Sequence, residues 1–219
     1  MSNLTVVKKV ENAVLYTDSS GGRVIRLDNV RLSYPFLGTP SEDESDDGDK
    51  KLSWRVQGML PKATHVAAKD ICKEVIQKLC ATNEVKIPQA QWFLSNGDDK
   101  EAEEMHGHFL VSASDMKVRP RCRDRKGVVI DDIAKIDDLF YGGCWGSILI
   151  RPWYFNGKRK NSAKIYPKRI VAGLNSVMFL RDDKPFGQGR IDDSECWDDL
   201  ASGDDGYDSG GFDDDDDGL

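Results

Sequence analysis

Residues 52–79 read LSWRVQGMLPKATHVAAKDICKEVIQKL, and their hydrophobic period changes once, at Pro61. Before the proline the residues alternate. Leu52, Trp54, Val56 and Gly58 share one side and Ser53, Arg55, Gln57 and Met59 the other, which is the period of a strand. After it, Ala67 or Ala68, Ile71, Cys72, Val75, Ile76 and Leu79 recur at helical spacing, while Lys69, Asp70, Lys73, Glu74, Gln77 and Lys78 fill the opposite face. The segment is therefore a strand, a proline stop and an amphipathic helix over residues 64–79, with Thr64 as the expected N-cap.

Strand-like segments surround that helix. Upstream, residues 4–16 are rich in Val and Leu and read as a strand or an N-terminal arm, and Ser19-Ser20-Gly21-Gly22 is a turn. Residues 23–34 alternate with mixed faces and predict a strand with a bend. Residues 39–50, TPSEDESDDGDK, have no side chain able to offset ordering entropy and read as a disordered acidic loop. Downstream, residues 109–112 read as a short strand, and apolar runs fall at 128–130, 139–141, 145–155 and 163–180. Asn156-Gly157 is a hairpin signal after the third of these runs. The fold class predicted is mainly β: an OB-fold-like five-stranded barrel over residues 1–191 with one inserted α-helix, followed by a disordered acidic C-terminal tail over residues 192–219.

The net charge of the 219 residues is −7, from 31 Lys and Arg against 38 Asp and Glu, which taken alone speaks against a nucleic-acid binder. The distribution reverses that reading. The tail holds 13 acids and no cation, so residues 1–191 carry 25 acids against 31 cations, a net of +6. Six more acids, Glu42, Asp43, Glu44, Asp46, Asp47 and Asp49, lie in one run. The chain is a basic body with an acidic insert and an acidic tail. No apolar stretch approaches the roughly 20 residues of a membrane span, and the N-terminus has no apolar core of signal-peptide length; a soluble, cytoplasmic protein is expected. The five cysteines form no C-x-x-C pair, which predicts reduced thiols and no structural zinc. No cofactor is expected.

Three concentrations of cations and rings stand out in the body. The first is Trp54-Arg55. The second is Arg119, Arg121, Arg123, Arg125 and Lys126, five cations with one acid in eight residues. The third spans residues 141–169, where Tyr141, Trp145, Trp153, Tyr154, Phe155 and Tyr166 interleave with Arg151, Lys158, Arg159, Lys160, Lys164, Lys168 and Arg169, with no acid from Gly142 onward. This is the composition of a single-strand groove: cations follow the phosphates and flat rings stack on unpaired bases, at roughly 1–3 kcal/mol per base and with little regard to sequence. Alternation puts Trp145, Leu149, Arg151 and Trp153 on one face and Ile148, Ile150 and Tyr154 on the other; one face must be core, and the sequence leaves open which. The tail, ending in Asp213, Asp214, Asp215, Asp216, Asp217, Gly218 and Leu219, is a polyanion able to compete with phosphate for the basic groove and to dock on basic partners.

The stretch IDDLFYGGCWGSILIRPWYFNGKRKNSAKIYPKRIVAGLNSVMFLRDDKPFGQGR (residues 136–190) resembles the second half of a family of phage single-stranded DNA-binding proteins. The resemblance is carried by the turn Phe140-Tyr141-Gly142-Gly143, the aromatic strand after it, and the Gly-Leu-Asn-x-Val-x-Phe run at residues 173–179; residues 23–36, RVIRLDNVRLSYPF, fit as well. It spans about residues 23–190 and the tail type. It implies an OB-barrel that coats single-stranded DNA in replication and recombination, and an acidic C-terminus that contacts replication proteins such as a DNA polymerase or helicase. The chain departs from the pattern in ending Gly-Leu where such tails commonly end in an aromatic residue, and in its acidic insert.

The expected reading is non-enzymatic binding of single-stranded DNA with little sequence preference. Two other classes stand beside it. Asp131, Asp132 and Asp137 near Lys135 group like the carboxylates of a metal-dependent nuclease, although surface acids also cap turns. An acidic protein-interaction module that never meets DNA is the other. His106 and His108 lie two apart, yet no third ligand is near them in sequence.

Overall fold

The computed structural model describes residues 4–44, 50–159 and 164–187. Among these residues ten strands and two α-helices follow in order: β1 (Thr5–Val10), β2 (Ala13–Thr17), β3 (Arg23–Glu44), β4 (Lys50–Pro61), α1 (Val66–Thr82), β5 (Leu94–Asn96), β6 (His108–Asp115), β7 (Arg121–Arg123), β8 (Val129–Ile130), α2 (Ile133–Leu139), β9 (Trp145–Phe155) and β10 (Arg169–Arg181). Five of the strands close on themselves. β3 pairs with β4, β4 with β6, β6 runs parallel to β10, β10 pairs with β9, and β9 returns to β3. This is a closed five-stranded OB-like barrel, as the sequence predicts.

The 22-residue β3 makes closure possible because it serves several neighbours in turn. Its first stretch pairs with β2 and β9 and its later stretch with β4. Left-handed backbone at Asn29 (φ 51°) and Tyr34 (φ 47°) accompanies breaks in its ladder, so the expected bend is real and occurs twice. Ile25, Leu27, Val30 and Leu32 of β3, Val111 of β6, Ile148 and Ile150 of β9 and Val177 of β10 are all fully enclosed in the barrel core. Ala68, Ile71, Cys72, Val75 and Ile76 of α1 join the same core. Full burial of an aliphatic side chain is worth roughly 1.5–3 kcal/mol, so this apolar stripe is what holds α1 to the barrel.

Several expectations change. Residues 39–44 and 50, assigned to a disordered loop, lie in β3 and β4; Ser41 pairs with Ser53 and Glu42 with Leu52, a ladder that needs no apolar side chain. Gly38 and Thr39 are also pinned by the Asp137 carboxylate, which accepts both their amides and the Thr39 hydroxyl. Residues 45–49 lie outside the described residues. Helix α1 begins at Val66, not Thr64: the Pro61 carbonyl takes the amides of both Thr64 and His65, and no side chain caps the helix. Residues 4–16 form two strands joined at Glu11-Asn12, with Asn12 left-handed at φ 57°. A second helix, α2, was not predicted; at seven residues it is too short for a clear periodic signal. β9 and β10 do form an antiparallel pair, but Arg169 pairs with Phe155 and Lys158 bridges Ile165, so Asn156-Gly157 is not a two-residue turn between them; residues 160–163 lie outside the described residues. The acidic tail at 192–219, including Asp213 to Asp217 and Leu219, lies outside the described residues, as do Lys160 and Cys196.

Candidate nucleic-acid interface

The face of β9 left open by its alternation is settled by its partners. Gly146, Ile148, Ile150 and Pro152 turn inward; Trp145, Ser147, Leu149, Arg151 and Trp153 turn outward. Cross-strand register extends that outer face around the barrel. Arg55 of β4 sits opposite Ser114 of β6, Ser114 opposite Gly173 of β10, and Gly173 opposite Arg151 of β9. Val171 faces Trp153, and Arg169 faces Phe155. Small outward residues, Ser112, Ser114 and Gly173, leave a trough between two walls. On one side a groove of about 490 Å³ is lined by Tyr34, Arg55, Gln57, Ser112, Ser114 and Val171. On the other a groove of about 590 Å³ is lined by Met116, Lys117, Trp153, Phe155, Lys158, Arg159 and Arg169. The Val171–Trp153 pair joins them, and among the described residues no acidic side chain lines either.

Rings and cations alternate within the trough. Trp153 is 47% exposed and meets Phe155 edge to face, with centroids 6.0 Å apart. The Arg169 guanidinium lies 5.5 Å from the Phe155 ring, Arg55 5.0 Å from Phe36, and Arg159 4.4 Å from Tyr166. Cation–π contact of this kind holds each guanidinium flat against its ring. Two turns present the remaining cations. The Asp115 carboxylate accepts the amides of Lys117 and Val118, projecting Met116 and Lys117. The Asn156 side chain accepts the Lys158 amide, and the Tyr166 amide donates to the Gly157 carbonyl. Gly157 is left-handed at φ 85°, and a Cβ there would come within 2.3 Å of the Tyr166 oxygen, so only glycine fits. Among the described residues, Gln57 Oε1 and Arg169 Nε are enclosed without a hydrogen-bond partner.

The residues singled out from sequence divide. Arg55, Trp153, Lys158 and Arg159 come together in the trough, and half-buried Tyr154 borders it while packing against the core. Trp54 lies on the opposite side of β4 from Arg55, its indole donating to the Gly38 carbonyl. Tyr141 and Trp145 are engaged by the segment after β10. The Tyr141 hydroxyl bonds Asp182 and the Asp183 carbonyl, the Trp145 indole donates to the Asp183 carboxylate at 2.6 Å, and Arg181 covers the Trp145 ring at 4.3 Å. The bonds from Trp145 and from the Lys184 amide hold Asp183 below the usual carboxylate range. Arg151 is paired with buried Asp18. Arg121 and Arg123 pair along β10 beyond β6; Arg123 donates to the Gly127 carbonyl and lines a separate groove of about 520 Å³ with Arg26, Asp28, Leu149 and Met178. Arg119 bonds the Asp131 carbonyl, and Arg125 and Lys126 are exposed on the turn before β8. Sequence reading missed Tyr34, Gln57, Ser112, Ser114, Met116 and Lys117, and left Phe155 and Arg169 in the cluster without singling them out. Only the Tyr34-Pro35 dipeptide, a large ring at a strand break, carries a local signal for the first of these.

The family described as Enterobacter phage Enc34, ssDNA-binding protein, matches residues 23–207. The chain belongs to this family. Among solved structures, the single-stranded DNA-binding protein from bacteriophage Enc34 is 34% identical, with 90% of this chain and 99% of that chain covered and a TM-score of 0.71. The same Enc34 protein in complex with ssDNA is 34% identical over 84% of this chain and 99% of that one, at a TM-score of 0.72. The gp2.5 single-stranded DNA-binding protein of bacteriophage T7 shares the fold at 14% identity, with 80% and 94% covered and a TM-score of 0.50. No curated protein sequence matches.

In this member of the Enc34 family two of the three carboxylates grouped as nuclease candidates, Asp132 and Asp137, hold structure. Asp132 caps α2 by accepting the amides of Ala134 and Lys135, and Asp137 ties α2 to β3. Among the described residues no group of three or more His, Cys, Asp or Glu is placed to hold a metal ion. His106 bonds the Lys100 carbonyl and His108 the His106 carbonyl. Burial pushes the thiols of Cys72 and Cys122 up to about 12 and that of Cys144 to about 11, and all three are free. No helix among the described residues is long and apolar enough to cross a membrane.

Proposed function

We propose that this chain binds single-stranded DNA with little sequence preference, coating and protecting it during phage DNA replication and recombination. The observation that carries the reading is the trough on the outer barrel face, lined by no acid among the described residues, where Trp153 and Phe155 stand among Lys117, Lys158, Arg159 and Arg169. Exposed rings supply sequence-tolerant stacking and the cations supply phosphate neutralisation. The structure of the Enc34 protein with ssDNA supports the same class of ligand. The acidic tail competes with DNA for the body's positive charge and, when displaced, contacts replication proteins such as a polymerase or helicase. The protein works by binding alone, in the cytoplasm of the infected cell.

Fluorescence anisotropy with a labelled single-stranded oligonucleotide tests this. Affinity falls linearly on a log–log plot against salt, with a slope of roughly −0.7 per phosphate neutralised. Four to six trough cations give a slope near −3 to −4. A flat salt response removes the electrostatic trough from the reading.

A further inference from the structure

Tyr34 is placed against every local preference. Its backbone is left-handed at φ 47°, which a large aromatic residue adopts rarely and at an energetic cost. The next residue is Pro35, which favours extended backbone before it. The ring is 58% exposed, and the side chain makes no hydrogen bond and no ring contact among the described residues. Its immediate neighbours behave differently: Leu32 and Leu37 are buried in the core and Phe36 packs under Arg55. Nothing the barrel needs is supplied by this ring. What it does is stand at the rim of the 490 Å³ groove, across from Ser112, Ser114 and Val171, with Arg55 beside it.

We infer that Tyr34 is a fixed stacking platform for one unpaired base of the bound strand, on the wall opposite Trp153. The strain is held in the free protein so that the ring is already presented when DNA arrives, and little conformational freedom is lost on binding. A ring on each wall gives the trough two stacking points separated by a floor of small residues, which accommodates bases only when they are unpaired. The inference rests on the single-strand reading above and adds to it a residue and a reason for preferring single strands.

The test compares wild type with Tyr34→Phe and Tyr34→Gly by anisotropy against a labelled oligonucleotide and by thermal unfolding. Tyr34→Phe keeps the ring and binds within about twofold of wild type. Tyr34→Gly weakens binding about tenfold, as loss of one stacked base requires, leaves the salt slope unchanged because no phosphate contact is lost, and raises Tm because glycine adopts the left-handed backbone freely. An oligonucleotide with abasic positions along its whole length narrows the gap between wild type and Tyr34→Gly to nothing. Unaltered affinity in Tyr34→Gly overturns the inference while leaving the DNA-binding reading intact. A fall in Tm together with affinity also overturns it, because the ring then serves the fold. If wild type fails to bind the oligonucleotide at all, the broader reading fails and this one with it.

Discussion

Asp18 accepts from the Ser20 hydroxyl at 2.6 Å, from the amides of Ser20 and Gly22, and from the Arg151 guanidinium, while only 8% of the residue reaches solvent. The Ser20 hydroxyl first, then Arg151, pull its carboxyl well below the usual carboxylate range against the opposing effect of burial. A carboxylate whose folded-state affinity for protons is depressed stabilises the fold above the ordinary carboxylate pKa, and that contribution disappears as pH falls. Asp18→Asn therefore melts below wild type at pH 7. The difference in Tm between the two proteins shrinks as pH is lowered from about 4, which a series of thermal melts measures. A difference independent of pH denies Asp18 its charged role. Gly22 belongs to the same clasp, since a Cβ there would stand 2.8 Å from the Asp18 carboxylate.

Strand β9 carries two outward tryptophans with opposite fates. Trp153 is exposed in the trough; Trp145 lies under Arg181 and bonds Asp183. Trp153→Ala weakens oligonucleotide binding roughly tenfold, as loss of one stacking ring does, and removes the tryptophan quench on binding. Trp145→Ala binds near wild type and unfolds at lower temperature. Anisotropy titrations paired with thermal melts of both variants decide this, and the opposite pattern moves the interface to the other end of the strand. The alternation of β9 was legible in the sequence, because residues 145–155 alternate with period two whatever surrounds them. Which face was outer was not legible, since both faces carry apolar residues and the choice is made by β3 and β10. The clamp on Tyr141 and Trp145 was hidden for the same reason: its acids lie about 40 residues away in the chain. The extension of β3 through Thr39 to Glu44 was hidden by composition. Polar residues paired across a hairpin hold a strand that hydrophobicity does not announce. The barrel itself was readable because its strands are long, β-branched and punctuated by Pro61 and the single strong helix.

At the scale of the molecule, charge is segregated along the chain: a net of +6 over residues 1–191 and 13 acids without a cation in the last 28 residues. Both the tail and a DNA strand are polyanions, so under the proposed competition for the same positive potential each raises the effective dissociation constant of the other. Removal of residues 192–219 changes the net charge from −7 to +6 and tightens single-strand binding. The gain is largest at low salt and fades as ionic strength rises, since exposed charges beyond a Debye length of about 8 Å at 0.15 M are screened. Replacing Asp213, Asp214, Asp215, Asp216 and Asp217 by Asn recovers part of the gain at full chain length, which separates the effect of charge from that of bulk. Anisotropy titrations of the full chain, the truncation and the Asn variant at low and physiological salt measure all three. An affinity in the truncated protein that is unchanged or weaker rejects competition by the tail and leaves contact with partner proteins as its only proposed work.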